Sequence, residues 1–285
     1  MDFVPSAKPG SDWNDQELIA FNIAIESLSP AEFFPNPDQS LEHIDQAVLY
    51  GSSPPDHTDS SISNSAVEYL SCIDLAITAP AMGFLSAFAF KTLTFLGFAE
   101  DVIVALPRHT IPLTICGKTD PVQTDLCLAH AHQCFILLVL VNNKADAVNA
   151  EAQAIAGAIA AFQFNNNTHR DHRLNPLDAM TIPCITMTGT HPDFYLVPVT
   201  TALSNSVIIA QRPNTQTRVL HCPTIGPHKQ GVSVGMEDPE YRRLALKRFL
   251  AFKELAQRHW VLISKGVEVT PPQLLWKTLA GSNFS

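Results

Sequence analysis

Chemistry in this chain has to come from the polar residues that end or interrupt its apolar runs. The clearest case is Phe135 to Val141, FILLVLV, which ends in Asn142, Asn143 and Lys144. A long Ala/Ile/Gln segment follows, from about Asn149 to Gln163. Seven consecutive apolar residues rich in Leu, Ile and Val predict a buried strand. The strand period of two puts Asn142 and Lys144 on one face and Asn143 on the other. Asp125, in TDLCL, lies one strand earlier and seventeen positions before Asn142. A buried strand that delivers polar side chains at its end, beside a helix, is a common way to build a site.

Two further groups have spacings that invite chemistry. His169 and His172 are i, i+3 and offer two metal ligands, but no cysteine or third histidine lies near to complete a site, and a solvated loop is expected. The segment 239–258 carries Arg242, Arg243, Lys247 and Arg248, then Lys253 and Arg258, against only Glu240 and Glu254. A helix so charged can track nucleic-acid phosphates. Its Leu246, Phe249, Leu250 and Phe252 also describe an amphipathic helix whose charged face is simply wet. The chain has no P-loop, GxGxxG, GxSxG or HExxH.

An Asp on one strand, an acid-x-Lys on the next and a helix after it is the layout of the PD-(D/E)xK, or restriction-endonuclease-like, superfamily, which this arrangement resembles. The run TDLCL…ILLVLVNNK…EAQAIAGAIAAFQFNN…PCITMTGTHPDFYLVPVT is similar to a group of basidiomycete fungal proteins with such a core, over roughly residues 84–258. The resemblance implies that two acids hold Mg²⁺ or Mn²⁺ and that the lysine positions or activates the attacking water. Carried over residue by residue, Asp125 matches the metal-binding acid, Lys144 the lysine, and Glu151 and Gln153 the acidic and amide positions of the following helix. Asn142 stands where the group has Glu, so the metal ligands become Asp125 and Asn142. An amide oxygen can touch Mg²⁺ but brings no negative charge, and metal capture weakens accordingly. The function expected is a catalytically degenerate nuclease-like domain with a binding or regulatory role. The alternatives are a weak metal-dependent nuclease that cleaves phosphodiesters, and a protein-interaction scaffold.

The elements that must position these residues follow from pattern. Residues 12–27 predict one amphipathic helix with an acidic first turn, and 41–49 a second short helix. The Pro/Ser/Asp-rich pieces PNPDQS and GSSPPDHTDSSISNS read as linkers, which puts a domain boundary near Asn64. Residues 66–98 are helical in character with a break at Pro80. Strands are expected at 101–106, 111–115, 122–128, 182–188, 194–199, 207–210 and 217–222, a loop at 165–176, and a closing helix at 239–258. Gln163 and Asn165 read as helix-end polar groups. The result is an α/β core (65–260) with a central mixed sheet flanked by helices, an acidic, partly helical N-terminal extension (1–64) and a tail (261–285).

Charge follows this division. Residues 1–68 hold twelve Asp and Glu and one Lys, a balance of −11, whereas the remainder is +2. The net charge of −9 therefore does not argue against an anionic ligand of the core, and the acidic segment is the place to expect a protein partner or a cover for a basic groove. No apolar run is long enough to span a bilayer, and the N-terminus has no basic region ahead of an apolar block. Six cysteines without a CxxC pair suit an intracellular protein with reduced thiols.

Overall fold

A computed structural model describes residues 7–51, 62–79, 81–143, 149–226, 228–229, 232–233 and 235–264. The apolar run at its centre is a strand of Phe135–Asn143, and the Ala-rich segment after it is a helix of Ala150–Asp171. Apart from the two-residue pairing of His228–Lys229 with Val232–Ser233, the strands in chain order are β1 (Ile23–Ser27), β2 (Ile103–Pro107), β3 (Thr110–Ile115), β4 (Lys118–Gln123), β5 (Leu126–His130), β6 (Phe135–Asn143), β7 (Ala179–Thr188), β8 (His191–Thr200) and β9 (Thr217–Pro223). The helices are α1 (Asp15–Ala20), α2 (Pro30–Phe33), α3 (Gln46–Tyr50), α4 (Asn64–Thr78), α5 (Met82–Phe95), α6 (Ala150–Asp171), α7 (Thr201–Ile208) and α8 (Pro239–Ser264).

Seven strands form one mixed sheet in the order β1-β9-β8-β7-β6-β5-β2. β2, β5 and β6 run antiparallel in succession, α6 crosses over, and β7 returns parallel to β6. Alternate side chains of one strand reach opposite layers. Val139 meets Gly157 of α6, while Asn142 meets Ser86 of α5. On β8, Tyr195 meets α6 through Glu151, and its neighbour Phe194 packs on Phe249 and Phe252 of α8. The sheet is thus sandwiched between α5 and α8 on one face and α6 on the other, with the β3–β4 hairpin outside α6.

α6 is held to both of its neighbours by side-chain amides. Asn165 is fully buried and bonds the backbone of Ile136 twice, accepting from N–H at 2.8 Å and donating to C=O at 2.9 Å. Gln163 does the same for Thr114 of β3, at 2.7 and 3.1 Å. These two residues are therefore cross-braces, not the helix-end polar groups expected. The helix continues past them through 165–171, where a loop was predicted, because Asn166 also spends its amide on a neighbour, bonding both N–H and C=O of Leu177. His169 is buried, stacked on Phe135 with its Nδ1 2.8 Å from the Asn175 carbonyl, so it is no metal ligand paired with His172.

Residues 12–27 are not one helix. α1 is closed at its start by a capping box between Asn14 and Glu17, then Asn22 takes a left-handed φ of 54° and the chain turns into β1. The β-branched Ile23 and Ile25, two apart, lie on one side of the strand that follows. β1 pairs in parallel with β9, and Trp13, Phe21, Phe33, Phe34 and Val48 are buried in the common core. Residues 10–50 therefore belong to the domain, and the boundary expected at Asn64 does not separate an extension from it. Two smaller differences have local causes. Residues 207–210 end the helix α7, which Thr200 caps through the N–H of Leu203, and are no strand. The run 122–128 breaks at Thr124–Asp125 into β4 and β5.

Removing the Asn165 amide leaves the N–H and C=O of Ile136 buried without partners, so Asn165→Ala is expected to lower stability by about 2–4 kcal/mol, read as a fall in the urea midpoint at unchanged slope.

Candidate functional site

Asp125 precedes β5 and Asn142 lies near the end of β6, and because the two strands are antiparallel these positions meet at one end of the sheet. The backbone brings them together twice: Asp125 N–H donates to the Leu140 carbonyl at 3.2 Å, and Asn142 N–H donates to Asp125 Oδ2 at 2.8 Å. The second bond continues the ladder with a side chain where the backbone of the partner strand departs. The other carboxylate oxygen, Oδ1, accepts from the Ser86 hydroxyl of α5 at 3.2 Å. Asn142 Nδ2 lies 3.5 Å from the same hydroxyl. Ser86 was not anticipated. Its signal was a lone hydroxyl within the apolar run GFLSAFAF.

Asn142 is 5% exposed, and its amide oxygen Oδ1 has no hydrogen-bond partner. A buried acceptor without a donor is uncommon. Here it lies beside a carboxylate, so the site holds acceptor capacity turned inward. Burial pushes the Asp125 carboxyl above its usual range, against the lowering effects of the Asn142 N–H, the Ser86 hydroxyl and the Arg108 charge. A carboxyl so placed resists ionisation, and a second carboxylate at position 142 is what would make the pair attractive to a divalent ion. Among the described residues no cluster of three or more His, Cys, Asp or Glu side chains is arranged to hold a metal. Lys144, expected as the third member, lies outside the described residues.

The two helix residues expected to line the same pocket do not. Gln153 Nε2 donates to the Ser11 carbonyl at 2.7 Å, tying α6 to the N-terminal turn. Glu151 faces the opposite side of the sheet, where its Oε1 accepts from the Tyr195 hydroxyl at 2.8 Å. The sheet itself separates the two groups, because α6 and α5 cover different faces.

The cations of α8 are engaged with the N-terminal segment. Arg242 has no exposed surface and donates to the carbonyls of Met236 and Gly51, so it cannot track a phosphate backbone. Arg243 lies over the Tyr50 ring and reaches the Leu49 carbonyl, Lys247 pairs with Asp38, and Arg248 donates to the Pro37 carbonyl over the Phe34 ring. The expected nucleic-acid face is instead the mount on which residues 34–51 are fixed. Among the described residues no helix is long and apolar enough to cross a membrane.

No protein-family model matches this chain, and neither does any curated protein.

The Asp125 carboxyl makes a testable contribution to pH dependence. Its folded pKa lies above the unfolded one, so the folded chain holds the proton more tightly, and the stability this gives is fully present below the ordinary carboxyl value of 3.8 and lost as pH rises through the higher folded value. Asp125→Asn keeps an acceptor for the Asn142 N–H and removes the buried charge. Above the carboxylate range the variant is expected to unfold at a urea concentration equal to or higher than the parent. The gap should close as pH falls below 4.

Proposed function

We propose that this chain is a restriction-endonuclease-like domain whose catalytic centre no longer supports phosphodiester cleavage, and that it acts by binding or regulation. The observation that carries this reading is the direct contact between Asp125 and Asn142 at the ends of adjacent antiparallel strands, with an amide where a metal centre would need a second carboxylate. The order of elements supports it: a helix (α5), three successive antiparallel strands (β2, β5, β6), a crossover helix (α6) and a strand parallel to the last of the three (β7). That order sets Asp125 beside Asn142 and begins the next helix at Ala150, which supports the reading.

On this reading the polar contacts around the pair serve the fold in place of a metal. Both Asp125 oxygens already accept hydrogen bonds that hold strand to strand and strand to helix. A single carboxylate captures a divalent ion weakly and leaves most of its coordination to water and phosphate. The residues that would contact Mg²⁺ or Mn²⁺ are Asp125 and Asn142, and a metal there would polarise a phosphate and a water.

Titration calorimetry with Mn²⁺, together with cleavage assays on single- and double-stranded DNA and RNA, tests this. The parent is expected to show weak or no metal binding and no cleavage. Asn142→Glu is expected to bind Mn²⁺ roughly tenfold or more tightly, because it supplies the missing anion next to Asp125. Metal-dependent cleavage by the parent, abolished by Lys144→Ala, would show instead that the centre is active.

A further inference from the structure

At the same end of the sheet as Asp125, but on the α6 face, side chains from β1, β8, β9 and α6 close around one imidazole. His221 of β9 is 9% exposed, and its ring lies flat on that of Tyr195, with centroids 4.5 Å apart and planes 5° from parallel. Ser27, the exposed last residue of β1, sets its Oγ 3.2 Å from His221 Nδ1. The other ring nitrogen, Nε2, has no hydrogen-bond partner and faces Asp193 Oδ2 at 3.9 Å. Glu151 Oε1 is 3.8 Å from Nδ1 and is occupied by the Tyr195 hydroxyl. Asp193 is held in place because its Oδ1 accepts from the Thr224 N–H at 2.9 Å.

Glu151 Oε1 and Asp193 Oδ2 flank the ring at nearly equal distances, both beyond hydrogen-bond reach. In the tautomer that carries its hydrogen on Nε2, beside Asp193, Nδ1 keeps a lone pair to which the Ser27 hydroxyl donates. A hydroxyl that donates to an imidazole, whose far nitrogen faces a carboxylate, is the arrangement that turns a serine into a nucleophile. Ser27 and His221 are register partners on parallel strands, and the Leu28 N–H donates to the His221 carbonyl at 2.8 Å. The backbone therefore fixes the distance between the reacting groups.

We propose that Ser27 is a nucleophile activated by His221, which gives this chain an acyl-transfer activity toward activated esters. Ser27 Oγ adds to the ester carbonyl carbon while its proton passes to His221 Nδ1. The bond from carbonyl carbon to the ester oxygen then breaks, and that oxygen leaves with the electron pair and takes the proton from Nδ1. Water hydrolyses the acyl-serine by the same route, freeing the acid and restoring the hydroxyl. The imidazolium formed midway lies between Glu151 and Asp193, whose charges stabilise it. Asp193 and Tyr195 are positioning residues: the first faces Nε2 and the second holds the ring plane.

The full chain incubated with 4-nitrophenyl acetate tests this, with acetylation of each serine followed by fragment-ion mass spectrometry. Ser27 is expected to acetylate at least about tenfold faster than Ser29, an exposed serine two residues on, and its rate should rise with pH. His221→Gln should slow Ser27 about a hundredfold, and Ser27→Ala should remove the burst of nitrophenolate. Asp193→Asn, at a half-buried position, should slow Ser27 and move its pH midpoint downward, a change that a merely structural role would not produce. If His221→Gln fails to fold by circular dichroism, the Asp193 variant still decides. Acetylation of Ser27 no faster than Ser29, or an unchanged rate and midpoint in Asp193→Asn, would overturn the proposal.

Discussion

The height at which α6 rides above the sheet governs the rest of this structure. Its buried residues are rich in alanine and include Gly157. At Gly157 an added Cβ would come within 2.9 Å of Val139 Cγ1, closer than such contacts are found. Small side chains bring two backbones close, and close backbones let short amides reach across. Asn165 and Gln163 act as surrogate peptide groups in this way, one for β6 and one for β3. The same closeness allows Cys184 Sγ of β7 to lie 3.7 Å from the Ala154 carbonyl. A bulkier helix would lift away and leave these buried polar groups without partners, at a cost of the order of 1–3 kcal/mol each.

From that placement two polar groups arise at one end of the sheet and stay apart. The start of α6 carries Glu151 over β8 and β9, toward Tyr195 and His221. The other face at that end is left to α5, which brings Ser86 to Asp125 and Asn142. The environments differ in kind. Asp125 is partly buried, with both oxygens engaged, and that burial resists its ionisation. Glu151 and Asp193 are also partly buried but sit on either side of a histidine. Tyr195 between them keeps its proton, because burial and the nearby Glu151 charge push its hydroxyl well above the ordinary range.

The long closing helix illustrates a second use of charge. α8 presents buried phenylalanines to β8 and a set of cations to the N-terminal segment. Those cations take backbone carbonyls, aromatic faces and one aspartate from residues 34–51. The segment's acidity therefore overstates its independence. Its aromatic residues Phe33 and Phe34 contact Phe252 and Phe194, and β1 completes one edge of the sheet.

What the amino-acid order determined by itself is local. The apolar run ending at Asn143, the Ala-rich helix after it, the paired helices broken near Pro80 and the amphipathic α8 are each written in a stretch short enough for period and breakers to decide. The pairing of Asp125 with Asn142 was legible too, since two strands joined by a short connection are neighbours by default. Tertiary structure decided the rest, for reasons of partnership. The segment Ile23–Ser27 became a strand because β9 offers it an edge. Asn165 became a brace because Ile136 lacks another partner. Glu151 left the pocket of Asp125 because α6 and α5 cover opposite faces. The Ser27, Asp193 and His221 cluster joins positions nearly two hundred residues apart, and no local spacing can announce a contact that exists only once β1, β8 and β9 lie side by side.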